Sequence, residues 1–346
     1  MSPCLTRSPG CLARRALAAL AAAVLTGGFA PRALAAGEEV NVYSSRSHYG
    51  SEQVFEQFTK KTGITVNIFG GNNNEVFERL RAEGPNTKAD ALITVDAGNL
   101  WNAARAGLLQ PVESRVLNQN VPVYLRDPEN RWFGLAVRAR TIMYSTERVR
   151  PSELSTYEGL GDPKWKGRLC LRPSSSVYNQ SLLATWIKRY GEPKVETIVK
   201  GWVANAPTYI DGDTKILEAI AAGQCDVAIT NTYYLARILE KKRDFPVAPF
   251  WPDQQGAGVH VNISGAGVTT HAKHKASAIK LVEFLSSPEV QNYFADGSFE
   301  FPAHPSVKPH AILQRWGTFK ADDIGVASAG EYQAAAVRLA DRAGYK

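Results

Sequence analysis

The sequence predicts a two-lobed α/β protein, each lobe a mostly parallel sheet flanked by helices, with a ligand cleft between the lobes. Three observations predict it. The chain has 346 residues, more than one hydrophobic core ordinarily serves. Strand-like and helix-like patterns alternate through two successive blocks, as in sheets whose parallel strands are joined by covering helices. A Gly-rich apolar stretch at 256–268 then reads as a crossing between the blocks, which suits a hinged protein.

Taken in order, the chain opens with a leader. Residues 1–36 read as a cleaved export signal. Arg14 and Arg15 supply the positive region, 16–25 is an apolar run too short to span a bilayer, and Ala33-Leu34-Ala35 offers a cleavage site. Export by the general secretory route is expected, with Arg14-Arg15 leaving the twin-arginine route open. The leader carries four arginines and no acid. Removing these from 40 basic residues leaves 36 against 33 acidic ones, a net charge of +3. Its basic residues are scattered among acids rather than gathered in a run, so no nucleic-acid partner is expected. Composition is that of an ordinary soluble globular chain.

The first block reads as strand 39–44, helix 51–62 with Ser51 as cap and Gly63 as stop, strand 64–69, helix 74–83, strand 89–95 and helix 100–109. The second begins near Gly134. It continues through a strand at 167–172, helices at 181–190 and 214–223, and the apolar strand 225–230 that runs into Tyr233. Helices at 272–285 and 289–295 follow the crossing. The expected lobes are 37–135 with 262–310, and 136–261 with 311–346. Loss of the leader removes Cys4 and Cys11 and leaves Cys170 and Cys225, an even pair in an oxidising compartment. Adjacent strands would bring them within bridging distance; two buried free thiols are the alternative.

Aromatic hydroxyls recur where an open α/β sheet holds its ligand, beyond the carboxyl ends of strands. The first strand runs into Tyr43-Ser44-Ser45-Arg46-Ser47-His48-Tyr49. A later one leads to Arg172-Pro173-Ser174-Ser175-Ser176-Val177-Tyr178-Asn179-Gln180, and the apolar strand ends at Asn231-Thr232-Tyr233-Tyr234-Leu235-Ala236-Arg237. A free phenol ionises near pH ~10, so several phenolates together need a strong positive charge. A bound trivalent cation supplies one, and a hard oxygen donor suits ferric iron.

In these three segments, and in Phe299-Glu300-Phe301-Pro302-Ala303-His304-Pro305, the chain resembles the periplasmic ferric-iron-binding proteins of ABC importers, the Fbp/Fut group, most closely its cyanobacterial Fut branch. The likeness covers residues 38–346. It implies the type II periplasmic-binding-protein fold and an iron site made by Tyr49, Tyr178, Tyr233 and Tyr234, with His48 as a fifth ligand or an anion or water in its place. It also implies nearby arginines: Arg46, Arg237, and Arg138 or Arg140. In the family Arg runs directly into His-Tyr, whereas here Ser47 stands between. The cargo implied is Fe3+, with Fe2+ as the other oxidation state. The partners implied are a permease and its ATPase, with the binding protein a monomer.

Other readings carry less. No Gly-x-Ser-x-Gly, P-loop or Gly-rich dinucleotide turn is present, so no enzyme is expected. His260, His271, His274, His304 and His310 lack zinc-type spacing, and His271 and His274 read as exposed loop residues. Asp96, Asp211 and Asp213 read as loop or cap residues, Asp213 as a cap before Thr214. The runner-up is a binder of a small organic solute such as a polyamine, thiamine or a phosphorylated compound. It would use a carboxylate pair or one of Trp101, Trp202 and Trp251.

Overall fold

The structure is a computed structural model and describes residues 37–46 and 52–346. The leader, Ser51, His48 and Tyr49 lie outside the described residues. Among the described residues, ten strands form in chain order: β1 (Glu39–Ser44), β2 (Thr65–Gly70), β3 (Ala91–Val95), β4 (Phe133–Ser145), β5 (Leu169–Leu171), β6 (Thr208–Tyr209), β7 (Val227–Asn231), β8 (Val247–Phe250), β9 (Val261–Val268) and β10 (Phe301–Pro302). They make one sheet path, β2-β1-β3-β9-β4-β7-β5-β6, with β8 and β10 also pairing with β4. The strands that alternate with helices pair in parallel, β1 with β2 and β3, and β5 with β6 and β7. The pairs made by β4 and β9 are antiparallel wherever these strands meet their other neighbours.

β4 joins the two halves. Its residues up to Ala139 pair with β9, and from Arg140 onward they pair with β7 and β8. Side chains alternate along a strand, so Arg138 and Arg140, two apart, share one face at the place where the partner changes. β9 lies close against β4 because its inner residues are glycines. A Cβ on Gly265 would stand 2.5 Å from the Phe133 carbonyl oxygen, and one on Gly267 2.5 Å from that of Arg131.

Two main apolar cores follow from this division. One gathers Val42, Ile93, Leu100, Phe133, Ile263 and Leu281; the other gathers Trp165, Leu171, Trp186, Val199, Ile229 and Leu339. The last forty residues serve both. Phe319, Val326 and Ala329 pack on the first core, whereas Ala336, Leu339 and Tyr345 pack in the second.

The helix Val177–Tyr190 begins four residues earlier than its apolar period indicates and is buried from Ser181 to Ile187. Its Trp186 meets Tyr157 and Trp202 edge-on, with ring centroids 4.9 and 5.6 Å away. Such pairs contribute about 0.5–1.5 kcal/mol each beyond area burial. The early start puts Tyr178 in the first helical turn. Helix Ala97–Arg105 also starts early, because the Asp96 side chain accepts from Gly98 N and caps it. Besides short helices of six residues or fewer, Glu192–Ala204 and Gln333–Arg342 escape the sequence pattern. The second is Ala-rich and buries only Ala336, Leu339 and Ala340, too weak a period to read.

Cys170 and Cys225 form a disulfide with their Cα atoms 5.8 Å apart. β5 carries the first, and the second lies two residues ahead of β7, its parallel neighbour. The closed loop spans a separation of 55 residues, for which chain entropy predicts about 4 kcal/mol of stabilisation. Reduction is therefore expected to lower the midpoint of denaturant unfolding, whereas an unchanged midpoint would show that the bridge constrains little.

Candidate metal centre

Three of the four candidate tyrosines are described, and all three sit in first helical turns. β7 runs without a break into the helix Thr232–Lys241, which places Tyr233 and Tyr234 at its second and third positions. Tyr178 is the second residue of Val177–Tyr190. The amide groups of a first turn lack intrahelical partners and present the positive end of the helix dipole, which favours an anionic side chain there. The two helix starts converge. The Tyr178 and Tyr233 hydroxyls stand 3.5 Å apart, and the Tyr233 and Tyr234 rings lie 4.2 Å apart between centroids. Tyr233 is fully buried, while Tyr178 and Tyr234 remain partly exposed.

Guanidinium groups surround these phenols. Arg138, Arg140 and Arg172 stand 5.5, 5.8 and 5.6 Å from the centre of the Tyr178 ring. Arg237 stands 5.1 Å from that of Tyr233. The two arginines of β4 are held from opposite sides. Arg138 donates to Ile263 O at 2.8 Å, Ser264 Oγ at 3.0 Å and Glu300 Oε1 at 3.3 Å. Arg140 donates to Asn179 Oδ1 at 2.7 Å, Asp213 Oδ2 at 3.1 Å and Asn231 Oδ1 at 3.3 Å. Asn179 follows Tyr178, and Asn231 is two residues before Tyr233, so one guanidinium fixes both helix starts. Arg46 donates to Glu300 Oε2 at 2.8 Å and lies 4.5 Å from the Phe294 ring centre. All four candidate arginines thus have places in the structure.

Asp213 corrects the sequence reading. It is not a cap; the helix Asp213–Ala221 starts at it, with Gly212 in the capping place. Its buried carboxylate accepts from Arg140 and from Asn231 N at 2.9 Å. Asp211 holds Arg172 at 2.6 Å. Asp96 is a buried cap that also accepts from Ser181 Oγ at 2.8 Å and Asn262 Nδ2 at 2.9 Å. Burial pushes its carboxyl up, against the Arg138 charge and these hydrogen bonds.

The remaining candidates are engaged elsewhere. His260 is buried, and desolvation beside Arg140 and Arg138 pushes its imidazole down to about 3. His271 is exposed, but His274 is only partly so, with Nδ1 3.0 Å from Asp90 Oδ2. His304 Nδ1 meets Ser306, and His310 caps the helix Ala311–Gln314. Trp202 donates to Tyr157 O, Trp251 donates to Trp316 O and stacks on Phe319, and Trp101 lies under Arg105. Among the described residues, no group of three or more His, Cys, Asp or Glu side chains could hold a metal ion. Sequence reasoning missed Asn179, Asn231 and Glu300 as partners of the arginines. Asn179 and Asn231 flank the tyrosine motifs, and that adjacency was the available signal.

The pattern of the bacterial extracellular solute-binding protein family matches residues 53–321. The chain is 42% identical over 316 residues to iron uptake protein A1 of Synechocystis, spanning 89% of this chain and 88% of that one. The chain belongs to this solute-binding family. Within it, two solved members of the Fut type superpose closely. A Trichodesmium FutA in complex with iron and citrate ligands gives a TM-score of 0.86 at 44% identity, over 89% of this chain and 100% of that one. Apo FutA2 from Synechocystis gives 0.84 at 42% identity, over 90% and 100%. This solute-binding protein therefore has the two-lobed type II fold of the Fbp/Fut group, and it is not an enzyme.

Proposed function

We propose that this solute-binding protein captures Fe3+ outside the cytoplasm with phenolate ligands and delivers it to the permease and ATPase of an ABC importer. The observation that carries the reading is the meeting of the Tyr178 and Tyr233 hydroxyls, with the Tyr234 ring packed on Tyr233, at two helix N-termini ringed by arginines. Relatives named for iron uptake and iron binding support it. Tyr178, Tyr233 and Tyr234 are the ligands from one lobe. Tyr49 and His48 are those from the other, with an anion or water filling any remaining position.

The chemistry follows from the donors. Phenolate is a hard oxygen ligand and favours Fe3+ over Fe2+. Several phenolates on one Fe3+ leave excess negative charge, which the always-cationic arginines offset. An ion held by both lobes binds the closed state better than the open one and so shifts the population toward closure. The change of strand partner between Ala139 and Arg140 supports a lobe boundary within β4.

Equilibrium dialysis of the mature chain against radiolabelled ferric iron tests this reading. One ion held per chain, undisturbed by excess polyamine or thiamine, is expected. Retention of an organic solute with no retained iron would overturn it.

A further inference from the structure

We propose that Glu300 is a positioning residue of the iron site, the shared carboxylate that ties the arginine next to one half-site to the arginine over the other. The inference rests on the iron reading above. Glu300 is fully buried. Its two oxygens take different arginines: Oε2 accepts from Arg46 Nη2 at 2.8 Å, and Oε1 accepts from Arg138 Nη1 at 3.3 Å. Ser264 Oγ adds a third donor at 3.4 Å. Arg46 precedes His48 and Tyr49 by two and three residues, and Arg138 stands over the Tyr178 ring.

The segment around Glu300 is held from both sides. Phe299 is buried in the left-handed region at φ 57°, which a bulky residue enters only when its surroundings fix it. Its ring packs in the apolar cluster that contains Tyr233. Phe301 and Pro302 pair with Val137 and Ala136 of β4, one and two residues ahead of Arg138. One short stretch therefore shares an apolar cluster with Tyr233 through Phe299, meets Arg46 and Arg138 through Glu300, and pairs with β4 through its backbone.

Stability alone does not account for this arrangement. A buried carboxylate shared by two buried guanidinium groups is commonly replaced by apolar side chains at no loss, because desolvation cancels much of the attraction. Kept beside a phenol cluster, it sets where the cationic charge sits. Glu300 holds Arg138 against the Tyr178 ring, where its charge offsets the excess negative charge of the phenolates. Asp213 does the same for Arg140 from the opposite side.

The test compares Glu300→Gln and Glu300→Asp with the unaltered mature chain by ferric affinity, pH of half-release and the visible tyrosinate-to-iron band. Glu300→Gln is expected to bind iron at least about tenfold more weakly, in line with the loss of an outer partner of a metal ligand. It should release iron at higher pH and show a displaced band. Glu300→Asp keeps the charge but is one methylene too short to reach both arginines, and smaller changes of the same sign are expected. If Glu300→Gln does not fold, Glu300→Asp decides. A folded variant matching the unaltered chain in all three readouts would overturn the proposal. An unaltered chain that stays colourless with ferric iron would instead remove the iron reading, and Glu300's role with it.

Discussion

Tyr233→Phe is expected to weaken ferric binding by more than about 100-fold while leaving the fold intact. The substitution deletes one oxygen and keeps the ring, which is fully buried among Ala236, Phe299 and Leu313. That oxygen stands 3.5 Å from the Tyr178 hydroxyl, so its loss removes one donor of a converging pair. Removing an outer partner of a metal ligand already costs roughly 10–100-fold, and a direct ligand costs more. Competition titration against a chelator of known affinity measures the change. Tyr190→Phe, at an exposed surface tyrosine, should leave the affinity unaltered. Equal affinities for Tyr233→Phe and Tyr190→Phe would show that Tyr233 serves packing alone.

Acidification is expected to release the iron while the protein stays folded. Every phenol must lose its proton to bind, and phenols ionise near pH ~10, so protons compete with the metal throughout the physiological range. Affinity should fall by roughly tenfold per pH unit for each phenolate ligand, which makes the drop steep when several act together. A second group titrates in the same direction and must be separated from the first. His260 has its pKa lowered to about 3 by burial, with Arg140 and Arg138 adding to the effect. Below about pH 6.5 the unfolded chain takes up this proton while the folded chain refuses it until near 3. Stability is therefore present above that window and is lost as the pH falls through it, by roughly 1.4 kcal/mol for each unit. Circular dichroism recorded alongside iron content distinguishes the two. Release by pH 5.5 with native ellipticity is the expected result; constant affinity from pH 7.5 to 5.5 would exclude phenolate ligation.

Much of this architecture was legible because it depends on local pattern. Strand 39–44 alternates cleanly, and the apolar run before Tyr233 is short and bounded, so both were readable as buried strands. The helix around Tyr178 was not read to its true start, because Val177 and Tyr178 continue no apolar stripe. What sets the start is tertiary: Asn179 is held by Arg140 at 2.7 Å, and its amide donates to Arg172 O at 3.0 Å and to the Tyr345 hydroxyl at 2.7 Å. The long reach of β4 across both halves was hidden for the same reason. Its pairing with β9 and β7 joins residues more than 80 positions apart. Asp213 misled because a carboxylate before a helical run ordinarily caps it, and only the fold reveals the buried Arg140 that claims it instead. Glu300 stood in plain view within Phe299–Pro305, but nothing local marks a carboxylate as the partner of Arg46, 254 residues away.

The most direct test of the central claim is the visible absorption spectrum of the purified mature chain after one equivalent of ferric iron. The account predicts a broad charge-transfer band from tyrosinate to iron that weakens stepwise in Tyr49→Phe, Tyr178→Phe, Tyr233→Phe and Tyr234→Phe. A colourless protein, or a band indifferent to all four substitutions, would contradict it.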